Sequence, residues 1–298
     1  MSVAALIGCI AVLQAVQAAA PPQPASLVGD AARIAAATTN EERFDALTGL
    51  LRSRGLTFAV EPFTIEKALG REPRTEGRNA VVTLGDGADV VVVGAHYDAA
   101  RLPDGSLSRG AVDNAASSVV LVRLAEALRT EKLPVRVKVV WFDMEEVGLV
   151  GSAQFVKQHA SDRIVAMLNF DINAYGNTIV YGPAELPGNA ALRRTFVQTC
   201  AAEDVACVGF AQMPPGDDRS FLKAGIPTIS IGIIPAVESH QLWLMMNGGA
   251  NSGLGQGVVP LIVKTIHTTE DTPEKLSEET MQRMQRFALS LVRNAARR

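Results

Sequence analysis

Two histidines and five carboxylates stand along the chain in short segments whose residue types fit metal-assisted hydrolysis. They read His96-Tyr97-Asp98, Asp113-Asn114, Glu145-Glu146, Asp171 and His267. All but the second follow or close a run of apolar β-formers, at 89–93, 135–142, 164–170 and 258–266. The ends of buried strands are where α/β proteins place their chemistry. One such residue alone reads as a hydrogen-bonded structural group or a solvated face. Converging on one sheet edge, the whole set would be electrostatically unstable without cations, so it points to a metal centre.

The same blocks resemble the di-zinc aminopeptidases of metallopeptidase family 28, the group of secreted bacterial leucyl aminopeptidases and aminopeptidase Y. The resemblance is carried by Gly94-Ala95-His96-Tyr97-Asp98, by Gly110 to Ser117 around Asp113-Asn114, by Phe142-Asp143-Met144-Glu145-Glu146-Val147-Gly148, by Asn169-Phe170-Asp171 and by His267 to Thr272. It runs from about Arg78 to the C-terminus. It implies two Zn(2+) per chain, with His96 and Asp171 on one, Glu146 and His267 on the other, and Asp113 bridging. It further implies Glu145 as general base, Asp98 as the partner of His96, and a peptide substrate with a free N-terminus. The residue types suit this chemistry. Zinc takes imidazole nitrogen and carboxylate oxygen and keeps a position for water in catalytic sites. Ligating imidazoles donate their other N–H to a carboxylate, the place of Asp98 if the turn bends back.

One block departs from the family's pattern. Where the family reads Ser-Asp-His before an aromatic and a Gly-Ile-Pro, this chain has Asp217, Asp218, Phe221 and Gly225-Ile226-Pro227. Asp218 thus replaces the histidine, either to favour a basic substrate group or simply to pair with Arg219. Within the same clan, carboxypeptidase or dipeptidase activity is an alternative, as is glutaminyl cyclase, which resembles a single-zinc version of the site. A non-catalytic binding module would have lost at least one ligand, and none is lost. The stretch 235–257 reads as a loop or short helix over the site. Within it, His240 reads as no ligand, and Trp243 with the neighbouring methionines as local packing.

The 298 residues, net charge of −3 and 48% hydrophobic content allow one large domain and give no footprint for nucleic acid. Residues 1–18 read as a signal peptide, 19–77 as a segment packing on the catalytic unit, and 78–298 as that unit. The signal implies a secreted or periplasmic protein, without stable membrane insertion. Leu6-Ile7-Gly8-Cys9 only superficially resembles a lipid-attachment box. Cys200 and Cys207 could form a structural disulfide after export.

The elements needed to position these residues alternate. Helical periodicity marks 40–54, 115–130, 151–159, 189–202 and 277–297, while strand-like runs occupy 57–63, 79–84, 89–94, 135–142, 164–170 and 228–233. This predicts an α/β protein, a three-layer αβα sandwich around a mostly parallel sheet, which the resemblance makes mixed, in a zinc-dependent exopeptidase fold.

Overall fold

The computed structural model describes residues 26–248 and 259–297. Two helices, α1 (Leu27–Ala35) and α2 (Asn40–Ser53), lead into strands β1 (Ala59–Thr64), β2 (Glu76–Leu84) and β3 (Asp89–His96). Then follow α3 (Ala116–Leu128), β4 (Arg136–Phe142), α4 (Val150–Gln158), β5 (Arg163–Phe170), β6 (Thr178–Gly182), α5 (Ala190–Ala202) and β7 (Ala206–Gly209). The chain continues through α6 (Asp218–Lys223), β8 (Thr228–Ile234), α7 (Ala236–Asn247), α8 (Leu261–Thr265) and α9 (Glu278–Ala296).

The strands form one sheet in the order β1-β2-β4-β3-β5-β8-β6-β7. The central four, β4-β3-β5-β8, run parallel, while β1-β2, β2-β4 and β8-β6 are antiparallel and β6-β7 parallel again. The sheet is therefore mixed, and "mostly parallel" holds only for its centre.

The valine run of β3 shows why the sheet is covered on both faces. Successive side chains alternate, so Val91 and Val93 join Val137 and Val139 in the core shared with α3 and α9. Val90 and Val92 meet Val140, Phe142 and Met167 beneath Phe155 of α4 and Phe221 of α6. Strands buried on both faces read as continuous apolar runs, not as alternating ones. The closing helix α9 starts at Ser277, whose side chain accepts from Thr280 N, and turns Met281, Met284, Phe287 and Leu291 inward.

The run at 258–266 forms no strand among its described residues, 259–266. Its described part is the short helix α8, entered through Pro260, with the Ile262 amide held by Glu238 at 2.8 Å. Only Ile262 of its apolar residues is deeply buried, so one side chain, not an alternating face, anchors it. The stretch 235–257 contains the twelve-residue helix α7, and residues 249–258 lie outside the described residues, as do the signal segment 1–18 and Cys9. Cys200 and Cys207 are disulfide-bonded between α5 and β7. No helix among the described residues is long and apolar enough to cross a membrane.

Topology alone marks a site. From β3 the chain passes to β4 on one side, then crosses over to β5 on the other. A crevice opens beyond the carboxyl ends of parallel strands where the order reverses in this way.

Candidate metal centre

All seven residues marked by the sequence arrive at that crevice. His96 is the last residue of β3, Glu145 and Glu146 follow β4, Asp171 follows β5, and Asp113 lies in the turn before α3. His267 comes from outside the sheet, just after α8. Two trios form, His96 with Asp113 and Asp171, and Asp113 with Glu146 and His267, each with ligand atoms within 4.8 Å of one another. Asp113 joins them through its two oxygens. Oδ1 lies 3.0 Å from His96 Nε2, and Oδ2 lies 3.1 Å from His267 Nε2. Glu146 Oε2 is 2.9 Å from His267 Nε2, and Asp171 Oδ1 is 3.7 Å from His96 Nε2. The remaining Glu146 oxygen, Oε1, and Asp171 Oδ1 are buried with no hydrogen-bond partner among the described residues. Buried carboxylate oxygens without donors are costly, and imidazole plus carboxylate is a zinc donor set, so the residues fit two zinc ions sharing Asp113.

A layer of fixed groups holds these ligands. Asp98 accepts the backbone amides of Glu145 at 3.1 Å and Glu146 at 3.2 Å, while its Oδ1 lies 3.4 Å from His96 Nδ1. One carboxylate thus orients a ligand from β3 and the paired glutamates after β4. Asp271 accepts the amides of Val112 at 2.6 Å and Asp113 at 3.1 Å. Asn114 ties the same turn to β5 through Phe170 O at 3.0 Å. The fully buried Arg43 donates to the carbonyls of Tyr97, Arg109 and Gly110, stapling α2 to both sides of the site. Met144, Ile172 and His267 have φ of 56°, 60° and 57°. For bulky residues such as the first two, that region is strained by roughly 1–3 kcal/mol each. Each is itself one of the marked residues or a direct neighbour of a marked carboxylate.

Residues 79–292 match peptidase family M28. The chain belongs to this family. Among curated proteins it is 36% identical over 137 residues to an aminopeptidase of Pseudomonas aeruginosa, covering 41% of this chain and 25% of that protein. It is also 25% identical over 207 residues to leucine aminopeptidase 1 of Arthroderma otae, covering 66% and 52%. The chain thus spans a quarter to about half the length of these relatives. Among solved structures, it resembles a zinc aminopeptidase from Bacillus subtilis, with TM-score 0.56, 20% identity and coverage of 74% and 50%. It also resembles a glutaminyl cyclase from Fimbriiglobus ruber, with TM-score 0.71, 17% identity and coverage of 92% and 96%. These structural likenesses show a shared fold.

The M28 site is electrostatically dominated by burial. Burial opposes the charge on His96, yet the neighbouring carboxylates of Glu145, Asp113 and Asp171 raise its pKa well above the usual value. Hydrogen bonds to Asp113 and Glu146 lift His267 to about 11. Burial would raise Asp113, but the two imidazoles outweigh it and hold its carboxyl below the ordinary range. Burial, reinforced by Asp113, pushes Glu146 up to about 7. Glu145 is pushed well above the carboxylate range by burial, against the pull of His96, and its side chain has no hydrogen bond among the described residues.

The departing block sits beside the first trio. A side chain at Gly216 would lie 3.3 Å from Asp218 Oδ1 and 3.7 Å from Asp171 Oδ2. Arg219 donates to Met213 O at 3.1 Å and forms no ion pair with Asp218 among the described residues, so the simple Asp218–Arg219 pairing is not formed. His240 is exposed, with Nδ1 2.7 Å from Ala236 O, away from both trios. Trp243 is 37% exposed. An apolar cavity opening on Asp171 is lined by Ile172, Val180, Met213, Leu242 and Ile262. The motif pattern marks neither Arg43 nor Asp271 with a role. Asp271 lies inside the His267 block and had that signal, whereas a buried arginine on an amphipathic helix has none.

Proposed function

We propose that the protein is an exported zinc-dependent aminopeptidase that releases N-terminal residues from peptides. The observation that carries this reading is the pair of trios sharing Asp113, and family membership supports it. His96 and Asp171 would hold one zinc, Glu146 and His267 the other. Bound there, zinc supplies Lewis-acid polarisation of the scissile carbonyl and a lowered pKa for water.

The chain's own groups do the rest. Glu145, held by its amide on Asp98 and half-buried without a side-chain hydrogen-bond partner among the described residues, takes the proton from the attacking water and delivers it to the leaving amine. A carboxylate placed beside the centre with no ligand or hydrogen-bond partner of its own suits both halves of that transfer. Asp98 keeps His96 and the glutamate pair in register. The Asp171 cavity receives an apolar N-terminal side chain. Residues 19–77 serve as a support for the catalytic unit at 78–298, with Arg43 as the anchor. The Cys200–Cys207 disulfide supports export, since such bonds persist in oxidising compartments.

A second reading is glutaminyl cyclisation, favoured by the near-complete coverage of the Fimbriiglobus ruber cyclase. The intact His96–Asp113–Asp171 trio argues for the peptidase. Assay of glutaminyl peptides beside leucyl peptides separates the two. Release of free amino acids supports hydrolysis, whereas ring closure at an N-terminal glutamine with no release overturns it.

A further inference from the structure

A second cavity, of about 550 Å³, opens on the Glu146 and His267 side of the centre, with Gly70, Arg71, Arg101 and Pro103 also on its wall. The apolar cavity opens instead on Asp171, and Asp113 belongs to both ligand groups between them. A peptide bound across Asp113, with its first side chain in the apolar cavity, sends the residues beyond the scissile bond into the larger one. This direction rests on the peptidase reading above.

The turn that carries Arg71 is built into the site. It is closed by Glu72 N donating to Leu69 O at 3.0 Å, with Gly70 at φ 55°. Ile65 and Leu69 pack with Phe63, Met144, Val147 and Val150, which clamps the turn onto the segment bearing the glutamate pair. Glu72 is already engaged, by Asn40 at 3.0 Å and Arg74 at 3.1 Å, with Arg101 at 3.8 Å. Arg101 also donates to Gly105 O at 3.3 Å. Arg71 is exposed and has no hydrogen bond or ion pair among the described residues. Arg71 therefore stands on the wall of a substrate-sized cavity with its guanidinium donors uncommitted.

We propose that Arg71 binds the terminal carboxylate of a short peptide, so that di- and tripeptides with a free C-terminus are the preferred substrates. The planar guanidinium fork matches a carboxylate in bidentate geometry. A cavity on this scale takes one or two residues beyond the scissile bond, which brings that carboxylate to the turn.

The test compares kcat/KM of the zinc-loaded protein for leucyl-glycine, leucyl-glycyl-glycine, leucyl-glycine amide and a leucyl anilide, in the wild type, Arg71→Gln and Arg71→Lys. The wild type should favour leucyl-glycine over its amide by about tenfold or more, chiefly through KM, as expected for a charge-assisted contact. Arg71→Gln should bring that ratio close to one, and Arg71→Lys should retain part of it. A ratio near one in the wild type, or one undiminished in Arg71→Gln, overturns the carboxylate site while anilide hydrolysis keeps the peptidase reading standing. Silence of the wild type on all four substrates defeats both.

Discussion

Glu145 and Glu146 are adjacent yet differently bound, and the difference underlies the roles proposed for them, proton carrier and ligand. Glu146 meets His267 at 2.9 Å, whereas the Glu145 side chain has no hydrogen bond among the described residues. Glu145→Gln should leave the zinc content unchanged and lower kcat by roughly 10²–10⁴-fold, the usual range for a lost general acid–base group; metal analysis beside steady-state kinetics checks this. Asp98 acts at one remove. Asp98→Ala strips the acceptor from two backbone amides and removes the carboxylate 3.4 Å from His96 Nδ1, which keeps the Asp98 main-chain carbonyl at 3.2 Å, and should weaken zinc binding by roughly 10–100-fold, as measured by competition with a chelating dye. An unchanged zinc affinity would remove Asp98 from the site's architecture.

Elements bring these residues together, and the strands that do so were readable because their burial is two-sided. The valine run before His96 and the apolar runs before Glu145 and Asp171 mark β3, β4 and β5 within a residue or two. The run before His267 is misleading, because Ile262 and Val263 sit in a short helix held by Glu238 through a contact made only in the folded chain. The four- and five-residue strands β7 and β6 and the six-residue helix α6 are too short to develop a period. Arg43 was equally silent, since nothing in α2 announces that one arginine points inward onto three carbonyls. Replacing it with Met would take the donor from the buried Tyr97 carbonyl and the partly buried Arg109 carbonyl, while Gly110 O keeps the Ala115 amide at 3.1 Å. The expected cost is about 3 kcal/mol or more, read as a lowered urea midpoint; a change under about 0.5 kcal/mol would make the staple incidental.

Across the whole molecule, the centre couples metal, protons and stability. In the chelated protein, the fold retains protons that the unfolded chain would release. Glu146 is raised from 4.5 to about 7, and His267 from 6.5 to about 11. Both contributions are fully present below the unfolded values and are lost as pH rises through the folded ones, so chelated protein weakens as pH climbs from about 5 toward 11. Zinc binding displaces the same protons. The rise in Tm on zinc addition should therefore be larger at pH 8 than at pH 6, reaching at least about 5 °C under saturating metal. Calorimetry at the two pH values checks the sign. Most direct of all is the rate at which chelated protein, titrated back with zinc, releases leucine from a peptide with a free amino terminus, compared with its N-acetylated twin. We expect activity to return with zinc, to saturate at two ions per chain, and to appear only on the free peptide. Activity that survives chelation, or cleavage of the acetylated peptide at an equal rate, would contradict a zinc aminopeptidase.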